Sequence, residues 1–386
     1  ETGSTMTAVA GEGYWIDTSS NACTITLPAS ASVGDTIIFV DYARNWGTNG
    51  IVIDSNGLNY QGDDDTFTVE YGTDGQAVKI TYMDATKGWI PTLDKTVADV
   101  PEIGNTLGIF GYGYSGGYSS LTNLVNISGV IATDVTGVGT ARYYTAGCEY
   151  GEDKGIFGYG STGSNTAVTN LVSNSGVVAT DVSGVGTARA YVAACGYGED
   201  KGIFGYGNNG SNLSMTNLVS NAGVVATDTT GVGTSSRTRA AAGYSDDKGL
   251  FGYGIAVSKI SITNLISNAG VVATDTTGVG TAREALAACR YGNDKAIFGY
   301  GTTGSDVSVT NLVSNAGVVA TDVTGVGTAR NTLGACGYGG DKGIFGYGTT
   351  GSDSSLSNLV SNAGVVATDT TGVGTARWGL GALSYA

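Results

Sequence analysis

The stretch DKGIFGYG, residues 200–207, followed by TNLVSNAGVVATDTTGVGT, residues 216–234, decides how this chain is read, because both strings return at a fixed interval. Phe110, Phe157, Phe204, Phe251, Phe298 and Phe345 stand 47 residues apart, each inside IFGYG or LFGYG. A period of roughly 40–50 residues indicates either helix pairs or four-stranded units. Composition separates the two: the unit is dense in Gly, Val, Thr, Tyr and Ile, which suit a pleated, half-buried surface, and it has no uninterrupted run long enough for two helices. Gly-rich punctuation divides one copy into four strand-like segments, Thr187–Gly196, Lys201–Gly207, Met215–Ser220 and Gly223–Asp228. The expected fold class is all-β, a six-bladed β-propeller of four-stranded repeats.

The ends of the repeat region point the same way. The first copy begins at Gly104-Asn105-Thr106-Leu107 without the strand that follows the repeated Arg, and the chain closes on Thr375-Ala376-Arg377-Trp378 through Tyr385, which is that strand alone. Pairing Arg377–Tyr385 with Leu107–Gly113 would close the ring and remove two free sheet edges. The strand bearing Ala193-Ala194-Cys195 is expected innermost, since six strands converging on an axis leave room only for small side chains. Domain boundaries follow: an N-terminal β-sandwich over 4–91, a linker over 92–103 and the repeats over 104–386. Glu1-Thr2-Gly3 reads as a cloning remnant.

Charge narrows the partners. The chain carries 33 acids against 18 Lys and Arg, a formal −15, with −9 of it in residues 1–95. Nucleic acid needs clustered Lys or Arg to displace counterions, so no nucleic-acid partner is expected. No apolar run approaches the roughly 18 residues of a membrane span, so a soluble chain without membrane insertion is expected. There is no histidine, which removes Ser-His-Asp and Cys-His catalysis and most zinc sites. Cys148, Cys195, Cys289 and Cys336 share one repeat position with Ala242 and Leu383, the pattern of a buried small hydrophobe. The once-per-unit Asp134, Asp181, Asp228, Asp275, Asp322 and Asp369 match an Arg series at 142, 189, 283, 330 and 377, broken only by Ser236. One Asp and, apart from that break, one Arg per unit predict a structural brace, with an anion-capturing arginine ring as the alternative. Asp63-Asp64-Asp65 could bind calcium but lacks the alternating ligand spacing and the Gly of an EF-hand, so it reads as a solvated loop. No cofactor, no metal and no enzymatic activity are expected.

The order Arg-x-x-small, a Gly-rich turn, an aromatic strand ending in Gly and then Asn-Leu-Val resembles kelch repeats, with Gly-Tyr-Gly replacing the kelch double glycine and the outer-strand Trp absent. YWIDTSSNACTITLPASASVGDTIIFVDYARNWGTNGIVIDSNG, residues 14–57, with KGWIP at 87–91, resembles a module of fibre proteins from tailed, especially marine, bacteriophages. That likeness implies a virion-surface, extracellular location and contact with other virion proteins through this module.

Near-identical copies can be compared with one another, and two stretches vary. One follows the Arg position: Tyr143-Tyr144, Ala190-Tyr191, Arg237-Thr238, Glu284-Ala285, Asn331-Thr332 and Trp378-Gly379. The other is the loop after FGYG. In an antiparallel meander both fall at the same end of the sheet. Diversified loops on a uniform scaffold predict a binding face, with Tyr143, Tyr144, Tyr191, Arg237, Glu284, Asn331 and Trp378 as its contact residues and a host cell-surface glycan or protein receptor as partner. The expected function is a virion fibre or spike adhesin, the alternatives being a purely structural surface protein and a polysaccharide-degrading enzyme.

Overall fold

A computed structural model describes residues 1–63, 69–96, 105–245 and 247–386. Among the described residues the chain is all-β, without helix. It divides into two compact units, residues 1–102 and 103–386.

In the first unit, strands Thr5–Thr7, Cys23–Thr26, Ile51–Asp54 and Val69–Tyr71 form one sheet, and Gly13–Ile16, Thr36–Asp41, Gln76–Asp84 and Gly88–Thr96 form the other. Alternating side chains from both, including Ile25, Ile37, Phe39, Ile51, Val78 and Trp89, meet in a single dry core. Buried Asp41 organises the loops above it by accepting hydrogen bonds from the backbone N–H groups of Asn45, Trp46 and Gly75. Three strands of this unit carry too little alternation to be read from sequence: Thr5–Thr7, Gly13–Ile16 and Gly88–Thr96. The last corrects the linker over 92–103, because residues 92–96 continue a strand paired with Gln76–Asp84; residues 97–103 lie outside the described residues. Glu1 also belongs to the fold, since its carbonyl accepts from the Asp17 N–H at 2.8 Å. Asp63 pairs with Tyr60, whereas Asp64, Asp65 and the first part of the expected strand at 66–70 fall outside the described residues.

The second unit contains, among the described residues, six three-stranded antiparallel sheets. One consists of Ala193–Tyr197, Lys201–Gly205 and Thr216–Val219, and four others repeat it along the chain. The sixth combines the two ends: Gly381–Tyr385 pairs with Leu107–Tyr114, which pairs with Tyr118–Val125. The first strand of each sheet neighbours the first strand of the next, and Gly381–Tyr385 returns to lie beside Ala146–Tyr150. The expected fourth strand, Gly223–Asp228 and its counterparts, is reduced to isolated bridges such as Val219↔Val225 and Thr216↔Thr229. A side chain is the cause: Asn217 Nδ2 donates to the Ala226 carbonyl at 3.0 Å and to Asp228 Oδ1 at 2.9 Å, taking the place of a ladder bond.

Three contacts, repeated around the unit, fix neighbouring sheets against each other. Each Phe ring rests on the first Gly of FGYG in the preceding sheet; a Cβ on Gly205 would lie 2.6 Å from Phe251, and one on Gly346 would lie 2.8 Å from Phe110. The Tyr of the same motif has φ between 59° and 66° in all six copies, a conformation that costs an L-residue roughly 1–2 kcal/mol. In five copies the strand ends just before this Tyr, and in all six the ring turns edge-on to the next Phe, as in Tyr206–Phe251 at 5.0 Å between centroids. The third contact is between small groups. Cys148, Cys195, Cys289 and Cys336 point Sγ at Gly202, Gly249, Gly343 and Gly108, and Leu383 points at Gly155. Only behind Ala242 does the partner position carry a methyl group, Ala296, which is fully buried.

Removing residues 374–386 takes away one strand of the sheet formed by both chain ends, so the truncated protein should lose its cooperative unfolding transition by calorimetry. Unchanged melting would show that this strand closes nothing. The Ala242/Ala296 match predicts coupling in a double-mutant cycle. Ala242→Cys alone should cost about 1–3 kcal/mol by overpacking, and Ala296→Gly in the same chain should recover part of that loss, read from denaturant unfolding.

Candidate functional site

The two variable stretches meet at one end of the six sheets, as the strand connections require. Tyr143 and Ser161 exchange backbone hydrogen bonds of 3.0 and 2.9 Å, and Arg237 and Ile255 do the same at 3.0 Å. Beside them, the second residue of each variable pair sits in a circuit of backbone bonds. Tyr144 N–H donates to the Gly379 carbonyl, Gly379 to Thr332, Thr332 to Ala285, Ala285 to Thr238, Thr238 to Tyr191 and Tyr191 back to Tyr144, at 2.6–3.3 Å. All six have positive φ, from 49° to 63°. A second circuit runs at the other end, from Gly151 to Asp200, Gly198 to Asp247, Ser245 to Asp294, Gly292 to Asp341, Gly339 to Thr106 and Ala386 to Asp153.

The first circuit rims a cavity of about 80 Å³ lined by Tyr144, Tyr191 and the equivalent residues of every sheet. Deeper along the same strands lies a cavity of about 50 Å³, lined by Ala194, Cys195, Gly196 and their equivalents, so the small-residue strand is innermost as expected. The four thiols there are buried and free, and burial pushes each of them up from the usual thiol range. Among the described residues no cluster of three His, Cys, Asp or Glu could hold a metal ion.

The seven expected contact residues fall into two groups. Tyr143, Tyr144, Tyr191 and Trp378 form a continuous aromatic patch beside the rim. Ring centroids are 3.8 Å apart for Tyr144–Tyr191, 4.3 Å for Tyr143–Tyr144 and 5.4 Å for both Tyr143–Trp378 and Tyr144–Trp378. Tyr114 and Tyr118, which sequence reasoning left in a variable loop, complete it at 5.3 Å from Trp378 and 5.4 Å from Tyr143 respectively. Tyr118 is 43% exposed. Burial, with Tyr191 alongside, holds the Tyr144 hydroxyl well above the usual phenol range, so it is a neutral donor at any working pH.

The other three are engaged within the protein. Arg237 Nη1 donates to Asn212 Oδ1 at 3.0 Å, Glu284 pairs with Lys259 at 3.3 Å, and Asn331 Nδ2 donates to Asp306 Oδ1 at 2.6 Å. Each partner lies 25 residues earlier, in the loop of the preceding sheet. The variation at these positions is therefore matched from loop to strand, a signal that could have been read by comparing the two variable stretches column by column. Trp378 also contributes to packing: its ring is half-buried against Tyr114, Tyr143 and Tyr144.

The repeated arginines form braces and are closed to ligand. Arg189 is fully buried, with Nε donating to the Tyr206 carbonyl, Nη1 to the Thr187 carbonyl and Nη2 to Asn217 Oδ1, at 2.7–3.1 Å, while its guanidinium carbon lies 4.2 Å over the Tyr159 ring of the sheet before. Arg142, Arg283, Arg330 and Arg377 repeat this, which removes the anion-capturing ring of five. The aspartates belong chiefly to a different contact. Asp228 accepts from Thr187 N–H and Oγ1 of the adjacent unit and stands 3.9 Å from Arg189 Nη1. Where Ser236 interrupts the series, Arg239 places its guanidinium 4.1 Å over Tyr206 instead. Sequence reading missed this substitute, although a lone Arg in a column otherwise filled by Thr145, Val192, Leu286, Leu333 and Leu380 marks it.

No protein-family model matches the chain, and no curated protein matches it in sequence.

Burial alone would raise the six aspartates, but the hydrogen bonds from Thr and Asn outweigh it and lower all of them. A depressed carboxylate stabilises the fold fully above its unfolded pKa of about 3.9 and loses that contribution as pH falls through the lower folded value. Melting temperature should therefore drop steeply below about pH 4, and Asp228→Asn should blunt the drop while lowering stability at pH 7.

Proposed function

We propose that residues 103–386 form a closed six-bladed β-propeller and that the end bearing the variable stretches is a receptor-binding face for carbohydrate, on a protein that acts as a virion fibre or spike adhesin. The return of Gly381–Tyr385 to Ala146–Tyr150 and the two circuits of inter-sheet hydrogen bonds support the ring. The observation that carries the binding reading is the aromatic patch. Tyr114, Tyr118, Tyr143, Tyr144, Tyr191 and Trp378 gather on one sector of an otherwise repetitive rim, where large rings bring contact area at little entropic cost. Packed sugar rings present C–H faces to such a surface, and the phenol hydroxyls supply donors at its edge. The likeness of residues 14–57 to phage fibre modules supports the virion location. A binding role is favoured over hydrolysis because, of the acids at the variable positions of this face, Glu284 and Asp306 are committed to Lys259 and Asn331, which leaves the exposed Asp353 alone, and a glycosidase needs two carboxylates available to the scissile bond.

The test is a glycan array probed with the whole chain, followed by titration of any sugar it retains. Binding without turnover is expected, and Tyr143→Ala with Trp378→Ala should weaken it by roughly 2 kcal/mol or more, with a modest fall in melting temperature from the lost ring contacts. Turnover would favour the enzyme. Unaltered attachment by the double variant would move the receptor site elsewhere on the chain.

A further inference from the structure

Of the six arginines stacked on the FGYG tyrosines, five make three hydrogen bonds each of 2.7–3.1 Å; Arg239 does not. Its Nη2 reaches only the Phe251 and Ile262 carbonyls, at 3.4 and 3.3 Å, and its Nε and Nη1 have no partner. Asn264 Oδ1, which would accept from an Arg at position 236, is left without a donor as well. Arg239 is 4% exposed, so a cation with two unpartnered nitrogens, three N–H donors between them, sits in a nearly dry place, which is costly to the fold. Burial works against its charge, and Tyr206 and the Asp275 carboxylate offset only part of that. The side chain lies against the rim cavity of about 80 Å³, next to Tyr144 and Tyr191, and among the described lining residues it is the only charged one.

Building on the carbohydrate reading above, we propose that the ligand is an acidic sugar, and that Arg239 selects it by taking the sugar's carboxylate while the sugar ring rests against Tyr144 and Tyr191. A carboxylate accepts the parallel pair of donors on Nε and Nη2, and Nη2 becomes free for it once its two long carbonyl contacts are given up. In the unliganded protein both are turned away from solvent, and the two long Nη2 contacts are weak enough to give way as the outer torsions of the side chain bring the fork toward the cavity. Displacing this Arg from position 236 to position 239 is what puts an arginine side chain into the lining of the rim cavity, with its guanidinium over Tyr206. A chain with net charge −15 repels anions at long range, so recognition of an acidic sugar depends on this local positive site.

The experiment pairs each uronic- or sialic-acid-bearing oligosaccharide on an array with its carboxyl-amidated form, and compares the natural chain with Ser236→Arg/Arg239→Leu. That double substitution restores the arrangement of the other sheets and fills the rim with the Leu found at 286, 333 and 380, so it should fold at least as well. The natural chain is expected to bind an acidic form at least about tenfold more tightly than its amide, the scale of one charge-assisted hydrogen bond, and the repaired variant to bind both forms alike. Equal binding of acid and amide by the natural chain, or a preference that survives in the variant, overturns the role of Arg239 and leaves the carbohydrate reading standing. Silence toward every sugar, neutral and acidic, takes down both.

Discussion

The circuit of six backbone hydrogen bonds through Tyr144, Tyr191, Thr238, Ala285, Thr332 and Gly379 is the constraint on which the rest of the repeat unit depends. Each N–H can reach the next carbonyl only from the left-handed region, so five residues with side chains accept a conformation that favours glycine. The circuit fixes the backbone without specifying side chains. One position can therefore be Tyr, Thr, Ala or Gly in successive sheets, which is the condition for a diverse surface on a uniform frame.

Away from that rim the sheets interlock through shapes that tolerate almost no change. A Phe ring on a bare glycine, a Tyr edge against that Phe and a guanidinium over that Tyr recur at every junction, including the one between the last strand and the first. Close packing explains both the near-identity of the copies and the exceptions, because a change on one side is answered on the other. Ala242 faces Ala296 where Cys faces Gly elsewhere. On the variable face the same rule operates with charge and hydrogen bonds: Glu284 answers Lys259, Arg237 answers Asn212 and Asn331 answers Asp306. The aromatic sector and Arg239 have no such match, and Tyr144, Tyr191 and Arg239 line the same cavity.

Much of this was legible because repetition exposes constraint within a single chain. The 47-residue period gave the unit, the surplus strand at 377–385 gave its partner at 107–113, the small residues at 193–195 gave the innermost strand, and strand parity put both variable stretches at one end. The fourth strand was misread because GVVATD has strand composition, and composition does not show that the Asn217 side chain displaces a ladder bond. Residues 92–96 read as a linker because Thr, Asp and Lys on the open face of a strand look like a loop.

The sequence by itself determined the repeat, its all-β character and the positions free to vary, since these follow from local propensity and from comparing one copy with the next. Tertiary structure alone decided which variable residues are committed and which are open, because that depends on groups brought together from neighbouring sheets. Arg237, prominent in sequence, is held by Asn212. Arg239, three residues from a missing brace, crosses to Tyr206 and leaves Nε and Nη1 without hydrogen-bond partners. Direction in space, which spacing along the chain does not encode, separates the two.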